Sequence, residues 1–385
     1  MLKDKFRNPL IKLMDLFTLF LIAMGFVLIF INLASLYIFK IIPSLKTNYK
    51  LNNEPLVSII IPAKYEKENI EKCLSSILSL EYSNKEIIVV AGDEETKAVA
   101  EKFKNVKVIK EPPLPQGWIG KNWACYIGYK NSKGDYLLFT DADTIHSKET
   151  LNLAVAKCEE ENIGLLTLVP GLIMESKWVK SFLPIIGQFI VIYTLAPYTN
   201  KDNTRFVFGN GQFLLFKRSV YEKIGTHEAV KKDIIEDIHL AKLVKQNGYK
   251  VRVYNGLNLL RVRMYRNLKE MIQGWSKNLY LGLGAKIYYL IIAILLLTII
   301  YLFPFITLFY SLFYYNYTNL FIWSLIINIF YIFRFGIIYY KLNVNINYAF
   351  QYFISIILFI YILLRSYNMY KKGIIWKGRI YKLST

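Results

Sequence analysis

The sequence predicts an α/β domain with a Rossmann-like, doubly wound mixed sheet, set between membrane-crossing helices. Three observations predict it. Short β-branched runs alternate with helical stretches between residues 51 and 286, and long apolar runs flank that region on both sides. The 385-residue chain is also 54 % hydrophobic and only 20 % charged, with a mean hydropathy of +0.30. That composition excludes disorder and holds more apolar surface than one soluble core hides. Net charge is +20, from 48 Lys and Arg against 28 Asp and Glu. A basic excess suits nucleic acid or an anionic lipid surface. The apolar runs select the lipid surface, and no nucleic-acid partner is expected. Cys73, Cys125 and Cys158 are odd in number and form no C-x-x-C pair, so they read as buried reduced thiols.

Residues 1–50 form the expected N-terminal anchor. Its apolar run, 16–42, contains Lys40 as its one charge and reaches the roughly 20 residues a span needs. It lacks the short core and small-residue cleavage site of a signal peptide. Residues 287–385 form a C-terminal transmembrane region with a basic tail. Its apolar runs lie at about 287–315, with Pro304 as a kink, at 319–340, with Arg334 near an end where it can snorkel, and at 346–364. A further run, 178–198, holds Lys180, Pro184 and Gln188. It lies between segments that must share one site, so it reads as an interfacial amphipathic helix rather than a span.

In the central domain, 51–286, LVSIIIPA (56–63) reads as a first strand, EIIVVAGD (86–93) as a second, VKVIKEP (106–112) as a third and DYLLFTDAD (135–143) as a fourth. NIEKCLSSILSL (69–80) and GKNWACYIGYKN (120–131) read as helices. Alternation of this kind implies a mainly parallel, doubly wound sheet. Such sheets bind ligands at the carboxyl ends of their strands. Asp93 falls at one such end, and Asp141 and Asp143 at another. A D-x-D pair there can hold a hard divalent cation, which in turn holds a diphosphate.

Five segments, in order over roughly residues 55–280, resemble glycosyltransferase family 2. They are VSIIIPAKYEKENIEKCLSSIL, IIVVAGDEET, GKNWACYIGYKNSKGDYLLFTDAD, FGNGQFLLFKRSVYEKIGTHEAV and IIEDIHLAKLVKQNGYKV. The wording PLPQGWIGKNWAC and GNGQFLLF is most similar to the membrane-bound members that glycosylate carotenoids, hopanoids and related lipids. The resemblance implies the GT-A fold and inverting, metal-dependent transfer from a nucleotide sugar, UDP-linked by expectation. The acceptor would be a hydroxyl or carboxyl of a membrane lipid: isoprenoid, carotenoid-like or glycerolipid. It implies Mg²⁺ or Mn²⁺ as cofactor, held by Asp143, with Asp141 helping the metal or the ribose.

By the same resemblance Lys121 approaches the diphosphate, and Glu66 and Asp93 contact ribose and base. Pro62 and Ala63 shape the base pocket through their backbone, and Tyr65 lies against the base. Glu66 and Asp93 also fit helix-start capping and turn chemistry. Asp237 matches the family's catalytic base, with its helix neighbour Glu236 as the fallback. His227 falls in the acceptor segment, His146 follows the D-x-D pair within reach of a metal or in a solvated loop, and His239 reads as helix surface or packing. Processive members carry Q-x-x-R-W. This chain reads Q-G-W-S-K-N from Gln273 to Asn278. Trp275 can then cap acceptor or donor, or anchor at the interface, while Lys277 faces the diphosphate. The altered spacing makes a processive polysaccharide synthase the alternative reading. A sugar-phosphate nucleotidyltransferase would open on a glycine-rich loop, which PAKYEKEN is not. A transporter would hold ionisable residues along its spans.

Charge does not orient the chain, because both termini and both flanks of the domain are basic. Nucleotide sugars are cytosolic, which places the domain on the cytoplasmic side of the cell membrane in a multi-pass protein, its basic flanks against anionic lipid.

Overall fold

In a computed structural model the structure describes residues 16–28, 30, 37, 41–313 and 318–381. The chain divides into two compact units: Ile38–Met174, Val191–Arg266 and Lys372–Thr385 form one, and Met1–Tyr37, Glu175–Ile190 and Asn267–Lys371 form the other. The first carries the sheet and the second the long apolar helices.

The sheet unit opens with β1 (Val57–Ala63), β2 (Lys85–Ala91), β3 (Lys107–Lys110) and β4 (Tyr136–Phe139). It continues through β5 (Thr144–His146), β6 (Leu165–Leu172), β7 (Leu214–Lys217) and β8 (Val251–Val262). Their order across the sheet is β3-β2-β1-β4-β7-β6-β8-β5. The first four strands are parallel, as the alternating pattern predicts. Beyond β4 the sheet becomes mixed: β7 runs antiparallel to both β4 and β6, and β5 antiparallel to β8. The chain winds from β1 outward to β3 and then returns to place β4 on β1's other side. That reversal between β1 and β4 is the switch point where ligands of such sheets bind.

Strand alternation sends side chains to two cores. Val57, Ile59 and Ile61 of β1 pack with Ile70, Cys73, Leu74 and Leu151 on one face. Ile60 packs with Cys125, Leu137, Phe139 and Leu240 on the other. The first face is covered by helices Ile70–Leu78 and Thr150–Glu161, the second by helices Gly120–Lys130 and Glu236–Gln246. Cys73, Cys125 and Cys158 are buried free thiols, as expected. β1 ends where the sequence places it, whereas β2, β3 and β4 end two to four residues earlier than expected, because the acidic residues lie in turns beyond them.

Last comes a two-stranded hairpin, β9 (Ile374–Trp376) paired antiparallel with β10 (Arg379–Tyr381). The sequence grouped these residues with the spans as a basic tail. In the structure they belong to the sheet unit.

In the other unit, Ile287–Leu312, Asn319–Lys341 and Ile346–Lys372 are long and apolar enough to cross a membrane. Most of their surface faces outward, only 28–39 % of each apolar window being buried. Ile287–Leu312 widens into a π turn at Thr298–Leu302, just before Pro304. Tyr331 fills the gap this leaves: its hydroxyl donates to the Ile300 carbonyl (2.6 Å), which Pro304 cannot serve for want of an N–H. Arg334 does not snorkel. It is 4 % exposed and donates to the Tyr301 hydroxyl at 3.0 Å. Leu16–Leu28 is a shorter apolar helix; Lys3, Lys5, Arg7, Lys12 and Lys40 lie outside the described residues.

Helix Lys177–Thr194 is present but is not a free interfacial helix. Val179, Phe182, Leu183, Ile185 and Ile186 are all buried. Within its unit Ser181 accepts from Tyr339 at 2.5 Å, and Phe182 and Phe189 meet Phe359.

Close packing of helix on sheet makes one substitution diagnostic. A Cβ at Gly128 would overlap Cγ2 of Ile60. Gly128→Ala is therefore expected to destabilise the sheet unit by about 1–3 kcal/mol, read as a lowered melting temperature in detergent.

Candidate active site

Four segments converge at the carboxyl edge of the sheet. Lys121 lies in the first turn of helix Gly120–Lys130, and Asp141 and Asp143 lie in the turn between β4 and β5. Glu236 and Asp237 open helix Glu236–Gln246, where negative charge complements the helix dipole. Residues 209–211, Gly-Asn-Gly, precede β7. Asn122 holds the first and third segments together. Wholly buried, it donates to the carbonyls of Val230 (2.8 Å) and Asp233 (2.9 Å), just before the helix that carries Asp237.

Lys121 Nζ bridges Asp141 Oδ1 at 2.8 Å and Glu236 Oε1 at 3.0 Å. Burial alone would lower its pKa. The carboxylates of Asp141 and Glu236 outweigh burial and keep the ammonium charged. Asp237 is held differently. Its Oδ2 accepts from the Gly211 amide (2.9 Å) and its Oδ1 from the Ile238 amide (2.9 Å). Burial, then the charge of Glu236, raises its pKa to about 6, against the opposing pull of Lys121 and the two amides. A base with that pKa is ionised near neutrality yet still able to take a proton. So the neighbours divide: Glu236 pairs with Lys121, and Asp237 is the poised carboxylate.

Asp143 is the least compensated group. Its Oδ1 is buried with no hydrogen-bond partner among the described residues. Burial, then the charges of Asp141 and Glu66, push its pKa well up. An orphaned buried carboxylate oxygen beside a second carboxylate fits a divalent cation. Among the described residues no group of three or more His, Cys, Asp or Glu could hold one alone. The remaining ligands would have to be substrate oxygens and water, the usual arrangement for Mg²⁺ at phosphates.

At the other end of the same edge, Asp93 caps helix Glu94–Ala100 by accepting from Thr96 N (2.9 Å). It also accepts from Tyr65 N (2.5 Å). The amides of Thr96 and Tyr65 hold its pKa low against burial. Capping is therefore real here, and it leaves the Asp93 carboxylate ionised beside Tyr65. Tyr65 itself is 58 % exposed with φ at +56°. Glu66 accepts from Asn69 Nδ2 (2.8 Å). Pro62 and Ala63 end β1, with Ala63 only 2 % exposed.

The structure thus brings Glu66, Lys121, Asp141, Asp143, Glu236 and Asp237 into one electrostatic neighbourhood. It does not bring His227 there. His227 is 1 % exposed, bonded through Nδ1 to the Tyr221 hydroxyl (2.6 Å) and packed edge-to-face on Phe139. Burial drives its pKa down to about 3, so it is a neutral core residue rather than an acceptor contact. His146 is also buried, bonded to Thr140 and Thr144, with its pKa lowered to about 4 by burial. It lies in β5, not in a solvated loop. His239 sits on the helix surface beside Asp233. Gln273, Trp275 and Lys277 lie on helix Leu268–Gly282 of the other unit; there Gln273 is exposed and Trp275 buried.

Two positioning residues, Asn122 and Gly211, are not singled out by the sequence. A Cβ at Gly211 would sit 2.7 Å from Lys121 Nζ. The paired glycines in F-G-N-G-Q were the available signal: Gly209 likewise lies against the Asp237 carbonyl.

Residues 58–225 match the family described as Glycosyl transferase family 2. This segment is a glycosyl transferase family 2 domain. The chain is similar to 4,4'-diaponeurosporenoate glycosyltransferase of Staphylococcus aureus, 27 % identical over 244 residues, covering 62 % of this chain and 65 % of that protein. It thus spans about two-thirds of the length of the relative it matches. Among solved structures it is similar to the mannosyltransferase PcManGT of Pyrobaculum calidifontis in complex with GDP-Man and Mn²⁺. The TM-score is 0.50 at 16 % identity, over 91 % of this chain and 98 % of that one. The likeness is one of fold, the GT-A glycosyltransferase fold.

In the glycosyltransferase domain, Lys121→Met removes the cation shared by Asp141 and Glu236. It is expected to lower the transfer rate about 100- to 1,000-fold. Gly211→Ala is expected to cost about 100-fold by displacing Lys121 and Asp237. Steady-state assays beside a melting curve separate both effects from misfolding.

Proposed function

We propose that this glycosyltransferase moves a sugar from a nucleoside-diphosphate sugar to a hydroxyl or carboxyl of a membrane lipid, with inversion at the anomeric carbon. The observation that carries the reading is Asp237: a half-buried carboxylate raised to about 6, fixed by two backbone amides and beside the Lys121–Glu236 pair. The similarity to a glycosyltransferase named for 4,4'-diaponeurosporenoate, and three helices apolar enough to cross a membrane, support an isoprenoid, carotenoid-like or other lipid acceptor.

In this mechanism Glu66 and Asp93 orient ribose and base at the ends of β1 and β2, with Pro62, Ala63 and Tyr65 shaping the pocket. Asp237 takes the acceptor proton as the acceptor oxygen attacks the anomeric carbon. The bond from that carbon to the diphosphate breaks, and the electron pair leaves with the diphosphate. Lys121 places positive charge where the leaving group gains negative charge. Asp143, with Asp141, would hold Mg²⁺ or Mn²⁺, which when bound supplies further positive charge to the diphosphate. Attack from the face opposite the leaving group inverts the centre. The donor is taken as UDP-linked and cytosolic, so the domain faces the cytoplasm of a multi-pass membrane protein, with basic flanks on anionic lipid.

The deciding experiment incubates purified protein, membrane lipid extract and Mg²⁺ or Mn²⁺ with radiolabelled nucleotide sugars. Label is expected in an organic-soluble product, lost with Asp237→Asn and with a chelator. Label only in a water-soluble or insoluble polymer would reject lipid transfer in favour of polymer synthesis. The rate has its own signature. Asp237 must be ionised to act, so kcat/KM is expected to rise with pH through about 6 and to flatten above it. Below that pH it falls about tenfold per unit.

A further inference from the structure

The C-terminal hairpin does not trail from the last apolar helix as a basic tail. Its turn, Lys377-Gly378, has both residues at positive φ (48° and 73°), the geometry that closes a tight two-residue hairpin. Ile374 and Tyr381 face inward and are buried, while Ile375 and Ile380 face outward. Two strands of three residues do not hold themselves together in water, so the docking contacts hold this ribbon.

Those contacts fall on the carboxyl edge of the sheet. Lys377 Nζ donates to the Lys64 carbonyl (2.8 Å) and to Glu66 Oε1 (2.6 Å). Arg379 makes a two-pronged pair with Glu111, at 3.0 and 3.2 Å. The Tyr381 hydroxyl accepts from the Gly120 amide at 3.2 Å. A Cβ on Gly378 would touch the Tyr65 hydroxyl at 3.4 Å. The hairpin therefore reaches from Tyr65 and Glu66, after β1, to Gly120, the residue before Lys121.

We propose that the hairpin is a wall of the donor site and that Lys377 is a positioning residue for the nucleoside-diphosphate sugar. This rests on the donor-site reading above. The argument is electrostatic. Glu66 is a carboxylate just beyond β1, at the donor edge, and its Oε1 lies 2.6 Å from Lys377 Nζ; left unpaired, it would repel an anionic donor. Lys377 neutralises Glu66, completes its hydrogen bonding opposite Asn69, and extends positive charge to Asp93. Without Lys377, Glu66 is free to swing and the donor meets one more uncompensated negative charge. The docked hairpin is thus the donor-competent arrangement, and Lys377 acts on donor binding rather than on the chemical step.

The test measures binding of UDP and GDP, each with Mg²⁺, and then donor KM and kcat, on the full-length protein. Variants are Lys377→Ala, Lys377→Arg, Glu66→Gln, the double Lys377→Ala/Glu66→Gln, and Asp93→Asn. Lys377→Ala is expected to weaken nucleotide binding and raise donor KM about tenfold, with kcat and acceptor KM within twofold. Lys377→Arg restores most of the loss, and the Lys377 and Glu66 effects are expected to be less than additive. An unchanged or tighter nucleotide affinity in Lys377→Ala, with Glu66→Gln and Asp93→Asn both weakened, overturns the hairpin proposal and leaves the donor site standing. Tighter binding would mark the hairpin as a plug. If Glu66→Gln and Asp93→Asn also leave binding unchanged, or if neither nucleotide binds the unmodified protein, both readings fall. A melting curve for each variant covers misfolding, because a merely structural hairpin would lower stability and kcat together without a split between donor KM and kcat.

Discussion

The arrangement of the catalytic edge depends on one ammonium group. Lys121 lies between Asp141 and Glu236, with Asp237 and Asp143 close enough for their charges to be felt. Four carboxylates in so small a volume would repel one another strongly in a partly buried site. One cation does not balance them. Burial and then the charge of Glu236 raise Asp237 to about 6, and Asp143 is left with an oxygen that nothing in the described chain satisfies. A site with this imbalance is prepared for cationic help and for a substrate that brings oxygen ligands of its own.

Backbone makes that geometry stiff. Lys121 enters from a helix on one face of the sheet, and Asp237 from the start of another helix. Asn122 ties the two together through the carbonyls of Val230 and Asp233. The Gly-Asn-Gly loop supplies an amide to Asp237 and leaves room for the Lys121 ammonium. Donor amides that need no reorganisation suit a site where charge moves during the reaction. The histidines show the converse. His146 and His227 sit in or beside conspicuous motifs, yet both are buried and uncharged in the core.

The hairpin makes the donor edge a long-range construction. Lys377 and Glu66 are 311 positions apart, and Arg379 and Glu111 are 268 apart. Closing such loops carries an entropic penalty that grows slowly with length. The many residues that fold into the apolar helices between them therefore do not prevent the contact. The hairpin has little core of its own, so its order reflects the carboxylates it meets.

Much of the fold was legible in the sequence because it rests on local patterns. Apolar runs marked β1 to β4, helical spacing marked the lysine helix, and length and hydropathy marked the three long helices. The carboxylates at strand ends could be placed on one edge because parallel strands all point the same way. What the sequence could not show was set by pairing between distant segments. The antiparallel β7, the buried state of Lys177–Thr194 and the burial of Arg334 each depend on what lies opposite, which no local period records. The same holds for Asn122, Gly211 and Lys377. Their chemistry is ordinary in sequence, and tertiary structure decides their roles by placing them against the carbonyls of Val230 and Asp233, the carboxylate of Asp237 and the carboxylate of Glu66. Sequence determined which charges the site contains. Tertiary structure decided which of them neutralise one another, because Coulomb energy depends on a separation that only the fold sets.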